Sequence, residues 1–168
     1  MFVLIFVTVG SRQYPFDRLF KKLDELCEKK IIKEKIFAQI GTSSYKPKYY
    51  EYKDFISPEE FDECVNKADI IITHGASGSI MKSLNANKKV IVVTRLEKYG
   101  EHINDHQIQN NEAFRDNKYV IMADLELNDL DKCLEKIKSK DNGLVKWENT
   151  DPYAIHKIIE KFIDDNWK

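Results

Sequence analysis

Six short runs dominated by apolar residues, separated by polar or helix-period segments, constrain this chain more than any other feature. They are Phe2–Val9, Ile36–Ile40, Tyr49–Phe55, Ile70–Thr73, Val90–Thr94 and Tyr119–Met122. A strand with one wet face alternates apolar and polar residues, whereas a strand that is apolar throughout is covered on both faces. That is the pattern of a parallel sheet sandwiched between helices. Phe16, Leu19, Phe20, Leu23 and Cys27 fall on one helical face. Ser57-Pro58-Glu59-Glu60 reads as a helix start, with Ser57 as N-cap and Glu60 reaching back as a capping box. Asp151-Pro152 opens a last helix over about 151–166, with Ile155, Ile158, Ile159 and Phe162 on one face. There is no repeat, low-complexity tract or flexible linker. The expectation is one α/β domain over 1–168, a Rossmann-like, doubly wound parallel sheet.

The chain has 168 residues, too few for an enzyme that closes a cleft between two full α/β domains. It carries 27 Lys and Arg against 28 Asp and Glu, a net charge of −1. That balance argues against a broad nucleic-acid surface, which needs a clear basic excess. Cys27, Cys64 and Cys133 form no C-x-x-C pair, so neither a zinc ribbon nor a redox motif is expected, and reduced thiols fit a cytoplasmic chain. The apolar run 2–7 is far shorter than the ~20 residues of a membrane helix and lacks a basic flank. It reads as a buried strand, so any membrane role comes through a partner and not through a direct span.

In an open parallel sheet the ligand sits where loops leave the carboxyl ends of the strands. Three such loops stand out. Thr8-Val9-Gly10-Ser11 offers a small turn through which backbone N–H groups can approach a phosphate, although a tight strand-to-helix turn would need Gly10 equally. It is not G-x-G-x-x-G, so the dinucleotide fingerprint is absent. Thr73-His74-Gly75-Ala76-Ser77-Gly78-Ser79 places two glycines and two serines before a helix through Ile80 and Leu84, an anion cradle without the P-loop pattern. His74 at the strand end is either a donor to a diphosphate, an acid or base, or a packed loop histidine. Arg95 through Gln107 is dense in amides, carboxylates and imidazoles, as recognition of a polyhydroxylated ligand requires. Within it His102 and His106, four apart, could share a helical face and bind a metal with Glu101 or Asp105. The order is not H-E-x-x-H, and a solvated charged helix start reads the same way.

Taken together, His74-Gly75-Ala76-Ser77-Gly78-Ser79, the strand Val90–Val93 and Gly100-Glu101-His102-x-x-Asp105-His106-Gln107 resemble the C-terminal, donor-binding domain of glycosyltransferase family 28. Val7–Ser11, Gln39-Ile40-Gly41 and Asp54-Phe55-Ile56 add to the likeness, which spans roughly residues 3 to 122. The nearest likeness is to the free-standing subunit of split bacterial exopolysaccharide glycosyltransferases and to its eukaryotic relative, the cytosolic subunit of the dolichol-pathway UDP-N-acetylglucosamine transferase. The resemblance implies the C-terminal half of a GT-B fold. It implies diphosphate contacts from Gly10, Ser11 and the loop Gly75, Ser77, Gly78 and Ser79, with the uracil near Phe55 and Ile56. Gln107 and Asp105 would hold sugar hydroxyls, with His74, Glu101 and His102 beside them and Arg95 on a phosphate or a sugar carboxylate. Neither metal nor cofactor is then expected. One departure stands out: the glutamate that grips the ribose in many relatives is Lys82 here, leaving Glu97 or Glu101 as replacements.

The resemblance further implies a two-chain, inverting transfer from a UDP-sugar to a saccharide on a polyprenyl diphosphate, in capsule or exopolysaccharide synthesis. A membrane-anchored partner subunit would supply the acceptor site and the catalytic base and recruit this chain to the inner face of the membrane. The terminal helix, with exposed apolar positions such as Ile163 and Trp167, either docks that partner or packs on its own domain. Two rival functions stay open: a non-catalytic nucleotide-sugar-binding module, and a different Rossmann-like enzyme.

Overall fold

The computed structural model describes residues 3–148, 151 and 153–167. In chain order the elements are β1 (Leu4–Thr8), α1 (Asp17–Glu28), β2 (Lys35–Gln39), β3 (Glu51–Lys53), α2 (Pro58–Lys67), β4 (Ile70–His74) and α3 (Ser77–Asn85). There follow β5 (Lys89–Val93), a 3-10 turn at Glu97–Tyr99, α4 (His106–Asp116), β6 (Ile121–Met122), α5 (Leu130–Lys138) and α6 (Ala154–Trp167). All six expected strands are present, with trimmed or shifted ends; Phe2 lies outside the described residues. So does Pro152 of the expected last-helix start, and α6 begins at Ala154.

The strands pair in the order β3-β2-β1-β4-β5-β6, every pair parallel. This is the doubly wound α/β arrangement. Register explains why the central strands β1, β4 and β5 are mostly apolar. Ala38, Val7, Ile72, Ile91 and Ile121 align across the sheet and enter one core, with Phe20 and Leu23 of α1 and Leu134 of α5. The alternate row, Phe6, Ile71 and Val90, enters the other core, with Val65 of α2, Ile80 of α3 and Phe114 of α4. Period-2 alternation therefore sends successive residues of the central strands into opposite helix-covered layers, while Glu51 and Lys53 of the edge strand β3 stay exposed.

Three local features differ from or refine the expectation. β2 and β3 are joined without a helix, by a loop over 40–50 that Asp24 of α1 organises. Its buried carboxylate accepts from Tyr45 Oη at 2.6 Å and from the N–H groups of Lys48 and Tyr49 at 2.8 and 3.1 Å. α5 is an element the pattern reading leaves unassigned, although Leu130, Cys133, Leu134 and Ile137 form its buried stripe. α6 packs on α4, burying Ile155; Ile163 is half-buried, not exposed, while Trp167 is 57% exposed. The three cysteines are unpaired, and burial pushes the Cys133 thiol up to about 12. No helix among the described residues is long and apolar enough to cross a membrane.

The capping box at α2 forms as read: Glu60 N–H donates to Ser57 Oγ at 3.1 Å, and Ser57 N–H to Glu60 Oε2 at 3.2 Å. Replacing Ser57 by Ala is expected to lower unfolding free energy by about 1 kcal/mol, read as a fall in the urea midpoint with unchanged slope.

Candidate functional site

The strand order reverses between β1 and β4: β2 and β3 are added on one side, β5 and β6 on the other. The loops leaving β1 and β4 therefore part and open a crevice at the carboxyl edge. A cleft of about 690 Å³ lies there. Gly10, Ser11 and Arg12 line it from β1, His74 and Gly75 through Ser79 from β4, and Arg95, His102, Asn104, His106 and Gln107 from the β5 side.

Its floor is made by a contact that admits no side chain. Gly10 has φ +73°, and a Cβ there would lie 2.8 Å from Cε1 of His74. The Gly10 N–H is held by Thr8 Oγ1 at 3.2 Å, and Thr8 Oγ1 in turn donates to Gln39 Oε1 at 2.9 Å. His74 is 5% exposed, and burial, aided by the Arg95 guanidinium, drives its pKa down to about 3. It is thus a neutral imidazole at neutral pH, able to hydrogen-bond but too weakly basic to take a proton efficiently. Gly75 is equally constrained, since a Cβ would lie 2.6 Å from Nδ2 of Asn111. Asn111 is fully buried and donates to Thr94 Oγ1 at 2.9 Å.

The β4 loop delivers the chain into α3. The N–H groups of Ser77, Gly78 and Ser79 precede the first intrahelical bond, from Ile80 N–H to the Ala76 carbonyl. No side chain among the described residues caps them. They face the cleft with the positive end of the helix dipole, an arrangement suited to phosphate oxygens. Lys82, one turn on, is not aimed at a ligand. Its ammonium is paired with Asp62 of α2 and lies 5.1 Å from the Phe61 ring centroid.

The β5 side divides the expected residues. Arg95 is 1% exposed yet lines the cleft; it donates to the Tyr14 carbonyl at 2.8 Å, its Nε has no partner, and burial lowers its pKa to about 10. It remains a cation at neutral pH. Gln107 also lines the cleft, with a buried Oε1 that no donor among the described residues meets. His102 turns its Nδ1 to the Asn104 carbonyl at 3.1 Å and packs against Tyr14. Glu101, in contrast, faces away from the cleft, in a two-point ion pair with Arg18 at 2.6 and 3.0 Å. Asp105 accepts from the Glu97 N–H at 2.9 Å and does not line the cleft, nor does Glu97. Glu101 and Glu97 therefore do not take the place that Lys82 leaves.

Phe55 and Ile56 leave the same edge of the sheet, two strands from β1, but stand outside the cleft itself. Phe55 is half exposed, and Ile56 packs on the second core. The β3 end is tied to the β2 loop by the Gly41 N–H, which donates to the Asp54 carbonyl at 2.8 Å. Arg12, Asn104, Asn110 and Asn111 belong to the site or its support and were not singled out from sequence. A basic residue two positions past Gly10 was the available signal for Arg12. Among the described residues no carboxylate lines the cleft, and no group of three or more His, Cys, Asp or Glu could hold a metal ion. His102 precedes α4 and shares no helical face with His106; both line the cleft with His74, and among the described residues the three form no group that could hold a metal ion.

Residues 4–157 match the family model of the glycosyltransferase family 28 C-terminal domain. No curated protein sequence matches the chain. Among solved structures, the glycotransferase of kitacinnamycin superposes with a TM-score of 0.62 at 17% identity, over 97% of this chain and 38% of that one. MurG of Acinetobacter baumannii gives 0.61 at 15% identity, over 98% and 50%. The glycosyltransferase SnogD of Streptomyces nogalater gives 0.53 at 13% identity, over 98% and 37%. At these identities the likeness shows the fold: the C-terminal domain of GT-B glycosyltransferases. The chain spans half or less of the length of these structures.

The buried His74 predicts a pH dependence. Its folded pKa, about 3, lies below the ordinary value of 6.5. The neutral ring's contribution to stability is therefore complete above pH 6.5 and is lost as pH falls toward 3. Urea unfolding of His74→Gln across pH 7 to 4 should show a shallower acid loss of stability than the wild-type chain.

Proposed function

The chain belongs to the glycosyltransferase family 28 C-terminal domain family, and from that premise we propose that it is the donor-binding part of a glycosyltransferase that uses a UDP-sugar. The observation that carries the reading is the cleft at the β1/β4 switch point. It combines the N-terminus of α3 with two arginines, Arg12 and Arg95, and among the described residues has no carboxylate along its walls. A nucleoside diphosphate fits that distribution of charge. The diphosphate lies across Gly10–Arg12 and the N–H groups of Ser77–Ser79, and the sugar reaches toward Gln107. The nucleoside extends toward the end of β3, where Phe55 and Ile56 stand beside the Gly41–Asp54 contact.

In this reading the reaction inverts the anomeric centre. An acceptor hydroxyl attacks the anomeric carbon, the bond to the UDP oxygen breaks, and the hydroxyl proton passes to a base. Charge that develops on the departing diphosphate is met by Arg12, by the α3 N-terminus and by Arg95, the last two fixed in place before the bond breaks. His74 does not serve as that base, because burial beside Arg95 holds its pKa near 3. The base and the acceptor site come from a second, membrane-anchored subunit, and the acceptor is a saccharide on a polyprenyl diphosphate in capsule or exopolysaccharide synthesis. That partner brings the chain to the inner membrane face.

Calorimetry with UDP, UDP-sugars and NAD tests the donor assignment. Uridine ligands are expected to bind and NAD is not; binding of NAD alone overturns the reading. Gln107→Ala should weaken UDP-sugar about tenfold, roughly 1.4 kcal/mol, and UDP much less. Arg12→Ala should weaken both ligands similarly. Sugar transfer in a mixture reconstituted with the partner separates an enzyme from a silent binding module.

A further inference from the structure

Arg18 lies outside the cleft, in the first turn of α1, yet it is bonded to the segment from which one cleft wall begins. Its side chain is four-fifths buried and makes four hydrogen bonds to three separate places. Nε donates to Glu101 Oε1 at 2.6 Å, and Nη2 to Glu101 Oε2 at 3.0 Å. Nη2 also reaches the Thr94 carbonyl at 2.7 Å, and Nη1 the Leu125 carbonyl at 2.7 Å. The rings of Phe16 and Tyr99 lie 5.2 and 4.9 Å from the guanidinium carbon. Glu101, 4% exposed at its side chain, uses the same Oε2 to accept the Leu96 N–H at 2.9 Å, while its own N–H donates to the Leu96 carbonyl at 3.2 Å. Residues 96–101 are thus closed into a small loop, and Arg18 fastens that loop to the end of β5 and to the segment after β6.

The chain that leaves Glu101 is the cleft wall itself: His102, Asn104, His106 and Gln107. The opposite wall, Gly10–Arg12 and Ser77–Ser79, stands on β1, β4 and α3, and none of Arg18's hydrogen bonds reaches it. We propose that Arg18 is a positioning residue for the donor sugar, setting through Glu101 the place of the 102–107 wall and hence the fit of Gln107 to the sugar. The proposal rests on the UDP-sugar reading above. The planar fork matters more than the charge, because one ammonium cannot reach Glu101, Thr94 and Leu125 together. A bridge serving stability alone behaves differently: replacing both partners by apolar residues of similar size is often neutral or stabilising.

Three variants separate these roles: Arg18→Lys, Glu101→Gln and the double replacement Arg18→Met with Glu101→Leu, the last leaving no stranded buried charge. Each is checked for folding by urea unfolding, then titrated with UDP and with the UDP-sugar that the wild-type chain binds best. UDP-sugar affinity is expected to fall about tenfold in all three, and UDP affinity less than about threefold, even where the double variant is as stable as wild type. Hydrogen exchange, which needs no ligand, should quicken over 95–107 and stay unchanged over the start of α3. Equal losses for both ligands, wild-type sugar affinity in the folded double variant or in Arg18→Lys, or unchanged exchange over 95–107 would each overturn the proposal. A wild-type chain that ignores every UDP-sugar overturns the donor reading and the sugar role of Arg18 with it, while the exchange result still reads the clamp by itself.

Discussion

The contact between Gly10 and the His74 ring is the constraint on which the site depends. β1 and β4 are hydrogen-bonded neighbours whose chains continue in opposite directions past the sheet. At their parting the backbone of one must pass within van der Waals reach of the other's side chain. Only a residue with no Cβ and a positive φ fits. With Gly10 there, the imidazole closes the floor beneath the cleft and stays neutral, and the chain can turn at Gly75 into α3 with its first N–H groups facing solvent. Asn111 supports the turn from behind, filling the space a Cβ on Gly75 would need.

Charge is distributed with the same economy. The chain is nearly neutral overall, but the cleft is not. Two arginines and a helix N-terminus converge there, while the nearby carboxylates are engaged elsewhere. Glu101 is bound by Arg18, and Asp105 by the Glu97 N–H. Lys82, which would add another cation near α3, is neutralised by Asp62. Removing carboxylates from a cleft by pairing them behind its walls keeps the local potential favourable to anions without a basic surface.

Much of this was legible in the order of residues. Strands buried on both faces must be apolar throughout, and Phe2–Val9, Ile70–Thr73 and Val90–Thr94 say so without any tertiary information. Ser57-Pro58-Glu59-Glu60 forms its box because both bonds are local. Gly10 and the Gly/Ser run before α3 were visible because turn chemistry is local as well. What escaped was non-local. Glu101 reads as a ligand-binding carboxylate until Arg18, far away in sequence, is found beside it. Arg12 reads as an ordinary surface cation until β4 and β5 bring a cleft to it. α5 carries a clear stripe, and it was the short polar stretches around it that hid the periodicity.

The sequence by itself determined the parallel sheet, its helix-covered faces and the edge at which the cleft opens, because burial pattern and turn chemistry act over a few neighbouring residues. The tertiary structure alone decided which charged groups line that cleft. Arg18 with Glu101 and Asp62 with Lys82 are chosen by strand order and helix placement, which bring together side chains that no spacing along the chain relates. The shape of the cleft is therefore written locally in Gly10, Gly75 and the start of α3, and its charge is set by pairs that only folding creates.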